Sequence, residues 1–350
     1  MPQLRQDLVT GRWVAIATER AKRPSSFSRA AAVAVPPAAT CPFCVGHESM
    51  TPPEVMAYRA AGSEPNTPGW EVRVVPNLYP AFGPADIEPI TSSCGPYTTM
   101  TGVGVHEVIV SSTSHVDDFA SLPVNQIDQI VRAFVERYDA NARNPVIQYL
   151  LIINNHGKEA GASLEHPHSQ LFGIPLVPFA VREELDGVRR YRSEHGACVY
   201  CEILATEQKA GERIIWENDS FLVYAPFASR TPFEASVLPK WHSARVQTMT
   251  TAQQHDFASA LHELTARISH GLNDPPYNFY IHTAPVHQDG EPGYHWHLEL
   301  LPKLAIAAGF ELGTGIMINV ATPEAAAEYL RGVDVSTSAV SAATPGIQHR

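Results

Sequence analysis

Two stretches of the chain place hydrophobic residues at helical spacing, and a short apolar run follows each of them. Both stretches therefore predict an amphipathic helix and then a strand, with the strands at 146–153 and 277–282. Thr251 and Gln254, ahead of the second stretch, have the spacing of a helix-capping box. The first apolar stripe consists of Ile127, Ile130, Val131, Phe134, Val135 and Tyr138. The second stripe consists of Phe257, Leu261, Leu264 and Ile268.

An internal repeat organises these elements. Each half has a CxxC pair, then a single histidine, then a His-x-His segment, which reads HPHSQ in the first half and HWHLE in the second. The interval from the single histidine to the His-x-His segment is nearly the same in both halves. The first half is longer after its CxxC pair, and we place this insertion within residues 46–101.

Matched halves of this kind predict an α+β protein of two tandem domains, each an antiparallel sheet with packed helices. We expect an N-terminal catalytic domain over 1–180 and a C-terminal domain over 181–333. Residues 30–40 are rich in Ala and Pro and predict a linker. The Ser- and Ala-rich end of the chain, 334–350, predicts a disordered tail, because it has too little apolar area to offset chain entropy.

Composition narrows the function classes. Hydrophobic residues make up 44% of the chain and charged residues 17%, a balance typical of globular proteins. The formal net charge of −11 argues against nonspecific nucleic-acid binding. No apolar run is long enough to cross a membrane, and the N-terminus has no apolar core of a secretory signal, so we expect a cytoplasmic protein. The densest basic cluster is Arg12, Arg20, Lys22 and Arg23.

Four of the five cysteines fall in the two CxxC pairs, and this spacing in a cytosolic chain indicates metal binding or redox chemistry. We favour zinc, because each pair is followed by downstream histidines rather than set in a thioredoxin-like βαβ unit. Zinc takes four ligands in a closed site. The first predicted site is Cys41, Cys44, His115 and His166. The second is Cys198, Cys201, His242 and His295, and the alternative there is a reduced cysteine pair without metal.

The HPHSQ segment suggests a nucleophile. In a strand, His166, His168 and Gln170 project from one face, and Pro167 predicts either an edge strand or a missing ladder hydrogen bond. With His166 bound to metal, His168 is left as an unprotonated imidazole, a good nucleophile toward phosphorus. In the second half Glu299 stands in place of the glutamine. A carboxylate repels phosphate, so we expect His297 to have lost the chemistry, with a further metal contact as the alternative.

Seven motifs in fixed order, over about residues 11–331, carry a family resemblance: TGRWVAIATERAKRP, CPFCVGHESMTPPE, VRVVPNLYPA, GVHEVIVSSTSH, INNHGKEAGASLEHPHSQ, YHWHLELLP and GFELGTGIMIN. Together they resemble the galactose-1-phosphate uridylyltransferase family of the histidine-triad superfamily. The second CxxC pair resembles a divergent branch that includes plant ADP-glucose phosphorylase. The resemblance implies two tandem histidine-triad-like domains, zinc and a homodimer.

The resemblance also implies residue roles. His168 corresponds to a nucleophile that forms a covalent nucleotidyl-histidine, and Gln170 to the amide that binds the transferred phosphoryl oxygens. The carbonyl of His166 would hold the far nitrogen of His168. The substrate-binding positions implied in the same way are Arg20, Arg23, Asn77, Asn155, Ser163 and Phe310.

The first expectation for function is a UDP-glucose:hexose-1-phosphate uridylyltransferase of galactose metabolism, which exchanges sugar 1-phosphates by a ping-pong mechanism without a redox cofactor. Its partners would be a nucleotide sugar and a sugar 1-phosphate. Gly309, Thr314 and Gly315 depart from the family's sugar pocket, so hexose and base stay open. One alternative is ADP-glucose phosphorylase or another adenylyltransferase with phosphate as acceptor. The alternative of another class is a zinc-binding interaction module without catalysis.

Overall fold

A computed structural model describes residues 1–22, 40–287 and 293–335 of the 350-residue chain. The strands of the first half, in chain order, are β1 (Gln3–Gln6), β2 (Trp13–Ile16), β3 (Met56–Arg59), β4 (Trp70–Pro76), β5 (Thr91–Cys94), β6 (Tyr97–Met100), β7 (Val105–Val110), β8 (Tyr149–His156) and β9 (His168–Ile174). Those of the second half are β10 (Ile214–Glu217), β11 (Phe221–Tyr224), β12 (Ala235–Pro239), β13 (Tyr277–His282), β14 (His297–Pro302) and β15 (Met317–Asn319).

The helices are α1 (Val124–Ala142), α2 (Phe179–His195), α3 (Val199–Ala210), α4 (Thr251–Leu272), α5 (Gly309–Thr314) and α6 (Pro323–Arg331). In the described part of the chain, no helix combines the length and the apolar character needed to cross a membrane.

Ten strands form one sheet in the order β10-β11-β12-β14-β13-β8-β9-β7-β4-β3. Every pairing in it is antiparallel. Five strands come from each half, and the halves correspond strand for strand about the β13–β8 pair. The predicted α+β architecture of two related antiparallel halves is confirmed. The two sheets also join edge to edge, and the exact domain boundary stays a prediction.

The main hydrophobic core lies between one face of this sheet and the paired helices α1 and α4. The predicted stripes face this core, as Phe134 of α1 and Phe257 of α4 illustrate, since both are buried. The capping box of α4 is made by Thr250 and Gln253, so the prediction of Thr251 and Gln254 was wrong by one residue. A second core packs α2 and α3 against the opposite face.

The local predictions around the strands were partly right. The strand predicted at 277–282 is confirmed, whereas the one predicted at 146–153 begins at Tyr149, because the residues before it form a turn capped by Asn144. Pro167 does not mark an edge strand, since β9 lies between β7 and β8 and the proline directly precedes it. The range predicted to hold the insertion contains the β5–β6 hairpin, which lies between β4 and β7. Residues 30–39 and 336–350 of the predicted linker and tail, and Arg23, lie outside the described residues.

Candidate active site and metal sites

His168 is the first residue of β9, and among the described residues its ring is held at one nitrogen only. Its Nδ1–H donates to the carbonyl oxygen of His166 at 2.8 Å, so the lone pair is on Nε2. Asn154 Nδ2 donates to the carbonyl oxygen of His168 at 2.9 Å and fixes the backbone there. The ring packs edge-on against Phe43. Burial lowers the pKa of His168, so the imidazole is neutral near pH 7.

A pocket of about 390 Å³ opens beside His168. Its walls include Asn155, His156 and the turn from Gly157 to Ala162 that follows β8. Gly157 has φ of 80° there, and a Cβ on it would stand 3.0 Å from Pro276, so the turn requires glycine. Asn278 of β13 donates to Asn155 Oδ1 at 2.7 Å, which means that the second half helps to form the pocket wall.

Gln170 lies two residues along β9 from His168 and therefore on the same face of the sheet. Its Oε1 is 2.7 Å from Nε2 of His106 on β7. The same ring nitrogen lies 3.1 Å from Nδ2 of Asn77. The predicted phosphoryl-binding amide and the predicted nucleoside contact thus meet at a histidine that the sequence reasoning did not select.

The first predicted metal group is assembled in the structure. Cys41, Cys44, His115 and His166 bring their ligand atoms within 4.8 Å of one another. Cys44 Sγ is 3.3 Å from His115 Nδ1 and 3.6 Å from His166 Nδ1. Sulfur and nitrogen ligands on a tetrahedral zinc ion stand roughly 3.6 Å apart, given Zn–S of about 2.3 Å and Zn–N of about 2.0–2.1 Å. The spacing therefore suits one metal ion.

The second group repeats this arrangement. Cys201 Sγ is 3.5 Å from His242 Nδ1 and 3.7 Å from His295 Nδ1, and Cys198 completes the set. In each group the buried histidine uses its far nitrogen to donate to a backbone carbonyl: His166 to Ser112 at 2.9 Å, and His295 to Pro239 at 3.0 Å. These hydrogen bonds leave the Nδ1 lone pairs facing the cysteines, as metal ligation requires.

Ionisation of the donor atoms supports the same assignment. Burial and the neighbouring Cys41 raise the pKa of Cys44 to about 11, and burial and Cys198 raise that of Cys201 to about 12. Burial lowers the pKa of His166 to about 4. The His166 imidazole is thus neutral near pH 7, and the Cys44 and Cys201 thiols need a bound cation to become thiolates. Both groups can hold a metal ion.

The second half has a different environment at the position that matches His168. His297 Nδ1–H donates to the carbonyl of His295 at 3.1 Å, as in the first half, but Nε2 lies 3.4 Å from Glu299 Oε1. Burial alone would lower the pKa of His297, but Glu299 and Glu184 outweigh it and raise the pKa to about 8. A protonated imidazole has no lone pair for phosphorus.

Two further groups of potential ligands occur among the described residues. Glu184, His282, His297 and Glu299 form one beside a pocket in the second half, and Asp118, His156 and Asp274 form the other in the wall of the His168 pocket. Beside the first of these groups, Arg230 donates hydrogen bonds to Glu299 and to the neighbouring Glu234. Sequence spacing did not reveal either group, because their members come from distant segments.

The other predicted substrate-binding residues are dispersed. Asn155 lines the His168 pocket, but Ser163 is exposed and only its neighbours Ala162 and Leu164 line it. Arg20 is exposed in the 3-10 helix Thr18–Lys22, and Phe310 is exposed at the start of α5. Neither contributes to the walls of that pocket as the described residues form it.

Comparison with known families gives two matches that together span most of the chain. The model for the N-terminal domain of galactose-1-phosphate uridyl transferase matches residues 1–178, and the model for its C-terminal domain matches residues 184–342.

Individual relatives cover almost the full length. ADP-glucose phosphorylase from Arabidopsis thaliana is 37% identical over 342 residues, which is 96% of this chain and 94% of the relative. Galactose-1-phosphate uridylyltransferase from Thermotoga maritima is 30% identical, over 96% of this chain and 99% of the relative. A crystal structure of the Arabidopsis thaliana ADP-glucose phosphorylase with bound ADP-glucose superimposes with a TM-score of 0.81 at 35% identity, covering 95% of this chain and 100% of that one.

Proposed function

Because the chain belongs to the galactose-1-phosphate uridyl transferase family and is a nucleotidyltransferase, we propose that His168 carries the nucleotidyl group covalently. One observation carries the proposal: the Nδ1–H of His168 is held by the His166 carbonyl, while Nε2 has no hydrogen-bond partner among the described residues. Such a ring presents its lone pair in one direction, toward the pocket where a phosphoryl group can enter.

The reaction follows from this geometry in two displacements. The Nε2 lone pair of His168 attacks the α-phosphorus of a nucleoside diphosphate sugar, and the bond to the bridging oxygen breaks. The sugar 1-phosphate leaves with that electron pair. An oxygen of a second phosphate then attacks the same phosphorus, and the P–N bond breaks and returns its electron pair to Nε2. The amide of Gln170 donates to the phosphoryl oxygens while charge develops on them.

The remaining predicted contacts fit around this reaction. We assign Asn155 and the turn from Gly157 to Ala162 to the phosphate groups, because they line the pocket beside His168. Asn77, which contacts His106 next to Gln170, is assigned to the nucleoside. The roles of Arg20, Arg23, Ser163 and Phe310 stay predictions from the family resemblance.

We propose that both Cys2His2 groups hold zinc, since their two thiols, two imidazoles and spacing suit a tetrahedral ion. Zinc bound there supplies a rigid cross-link rather than reaction chemistry. In the first half it would fix the backbone of His166, whose carbonyl positions the ring of His168 before substrate arrives.

For the substrate, we favour ADP-glucose with inorganic phosphate as acceptor. The relative of that activity is 37% identical, against 30% for the Thermotoga maritima uridylyltransferase. This chain also carries Gly309, Thr314 and Gly315 where the family resemblance implies a basic residue and an aromatic–acidic pair in galactose-specific members. Uridylyl exchange between UDP-glucose and a hexose 1-phosphate is the second candidate, supported by both family models. A homodimer and a cytoplasmic location stay predictions.

Intact-mass spectrometry after brief exposure to each nucleotide sugar tests the proposal. We expect ADP-glucose to add one adenylyl group and release glucose 1-phosphate, and phosphate to remove the adduct as ADP. An adduct from UDP-glucose alone, discharged by galactose 1-phosphate, would select the second candidate. His168→Asn is the control and should take up neither group. Turnover without any adduct would overturn the covalent proposal.

A further inference from the structure

Gln170 is held by a residue of the neighbouring strand, His106 on β7. Strand register sets this contact, because His106 stands opposite Phe172 and Gln170 stands opposite Val108, so His106 and Gln170 are diagonal neighbours on one face. The rings of His106 and Phe172 also stack, with centroids 4.0 Å apart. The contact between His106 and Gln170 is therefore part of the sheet.

The backbone of Ala81 determines which nitrogen of His106 carries the proton. Its N–H donates to His106 Nδ1 at 3.2 Å, so Nδ1 is an acceptor. Burial lowers the pKa of His106, and a neutral imidazole has a single proton, which is then on Nε2. His106 Nε2–H consequently donates to Gln170 Oε1.

The side chain of Asn77 also lies next to Nε2 of His106, but it does not accept the proton on that nitrogen. The Oδ1 of Asn77 accepts from the backbone N–H of Tyr79 at 2.8 Å, which turns its Nδ2 toward His106. That nitrogen carries hydrogens and cannot accept one. The backbone N–H of Asn77 also donates to the carbonyl of His106 at 2.8 Å and ties this loop to β7.

We propose that His106 is a positioning residue that fixes the orientation of the Gln170 amide. A side-chain amide has nearly the same shape when rotated by half a turn, but it then presents an acceptor oxygen where it presented two N–H donors. With Oε1 held by His106, the donor end of Gln170 is the end left for the phosphoryl oxygens. Donors that are already aligned need no reorganisation as charge develops. This inference rests on the proposed function of His168 and Gln170.

Single-turnover labelling of His168 by ADP-glucose, or by whichever nucleotide sugar labels the wild type, tests the inference. His106→Phe keeps a ring for Phe172 but removes both nitrogens, and we expect the labelling rate to fall roughly 10- to 100-fold with little change in KM. His106→Gln restores an N–H donor near the position of Nε2 and should recover most of the rate. His255→Phe makes the same substitution on the exposed face of α4 and should label at the wild-type rate.

A double-mutant cycle separates positioning from an independent effect. If His106 acts through Gln170, the variant with both His106→Phe and Gln170→Ala loses no more rate than Gln170→Ala alone. A loss equal to the product of the two single losses would overturn the inference, as would an unchanged rate in His106→Phe. If the wild type itself is not labelled, the proposed function fails instead, so the two failures are distinguishable.

The proton position can be read without any variant. Imidazole ¹⁵N NMR of the intact protein at neutral pH should show His106 protonated at Nε2 and bare at Nδ1. A proton on Nδ1 would overturn the inference, because Nε2 could then no longer donate to Gln170. Metal content and thermal unfolding of the variants establish that the rates refer to folded protein.

Discussion

The two His-x-His segments share a hydrogen-bonding pattern but differ in electrostatics. Each begins with a buried histidine that faces a CxxC pair, and its second histidine donates Nδ1–H to the carbonyl oxygen of the first. The difference lies two residues further on. Gln170 is neutral and bound to His106, whereas Glu299 is a carboxylate bound to Arg230.

The supporting residues have diverged together with this position. Glu234 directly precedes β12. By its offset from Glu299 on the paired strand β14, it matches the position of His106 relative to Gln170 in the first half. Glu234 holds Arg230, and Arg230 holds Glu299. In the first half the residues around Gln170 are neutral, and burial lowers the pKa of His168. In the second half Glu299 and Glu184 outweigh burial and raise the pKa of His297 to about 8. One fold thus supports a neutral imidazole, the proposed nucleophile, and a cationic imidazole at matched positions.

Removal of the two histidines should give the largest contrast. We expect His168→Asn to lower single-turnover labelling at least about 10⁴-fold, because the nucleophile is gone. His297→Asn should label within a few-fold of the wild type, measured on protein of unchanged metal content. Comparable losses in both variants would mean that the halves are not functionally different.

Transfer of the second-half carboxylate to the first half should have the next largest effect. Gln170→Glu replaces two N–H donors with a charge that repels phosphate and favours a protonated His168, so we expect a loss of about 10²- to 10³-fold. The reverse change, Glu299→Gln, should not create a second labelled histidine. Labelling of His297 in that variant, seen by peptide mapping, would show that one residue alone separates the halves.

The metal groups should differ in what they support. Cys44→Ser and Cys201→Ser should each reduce zinc content by one ion per chain. We expect labelling to fall about 10- to 100-fold in Cys44→Ser, because the backbone of His166 is loosened. Cys201→Ser should mainly lower the melting temperature. If Cys201→Ser lost labelling and Cys44→Ser lost only thermal stability, the metal that supports the proposed nucleophile would be in the second half, which contradicts this expectation.

The pH dependence should show the smallest contrast. Burial keeps the pKa of His168 below the ordinary histidine value of about 6.5, so its labelling rate should stay nearly flat from pH 8 down to about 6.5 and fall only below that. A rate controlled by a group like His297 would instead decline as pH drops through about 8. Quenched labelling reactions at a series of pH values across this range distinguish the flat profile from the declining one.

Much of the fold and of the candidate site could be predicted from the sequence, because the order and spacing of residues along the chain indicate them. The repeat of CxxC, His and His-x-His predicted both metal groups, and strand alternation placed His168 and Gln170 on one face. The helical stripes predicted α1 and α4. All of these depend on local period or on order along the chain.

Register and long-range pairing could not be predicted in the same way. His106 lies in an ordinary strand pattern, and only the pairing of β7 with β9 brings it to Gln170. The joining of the two sheets through β8 and β13 likewise depends on an edge-to-edge contact between distant segments. The clusters around Glu184 and Asp118 are assembled from three or more segments each.

Peptide mapping of the trapped intermediate tests the central claim most directly. After a brief exposure to ADP-glucose without phosphate, or to UDP-glucose if only that sugar labels, tandem mass spectrometry should find one nucleotidyl group on His168. A nucleotidyl group on His297, His106 or any other side chain, with His168 unmodified, would contradict the assignment of the nucleophile.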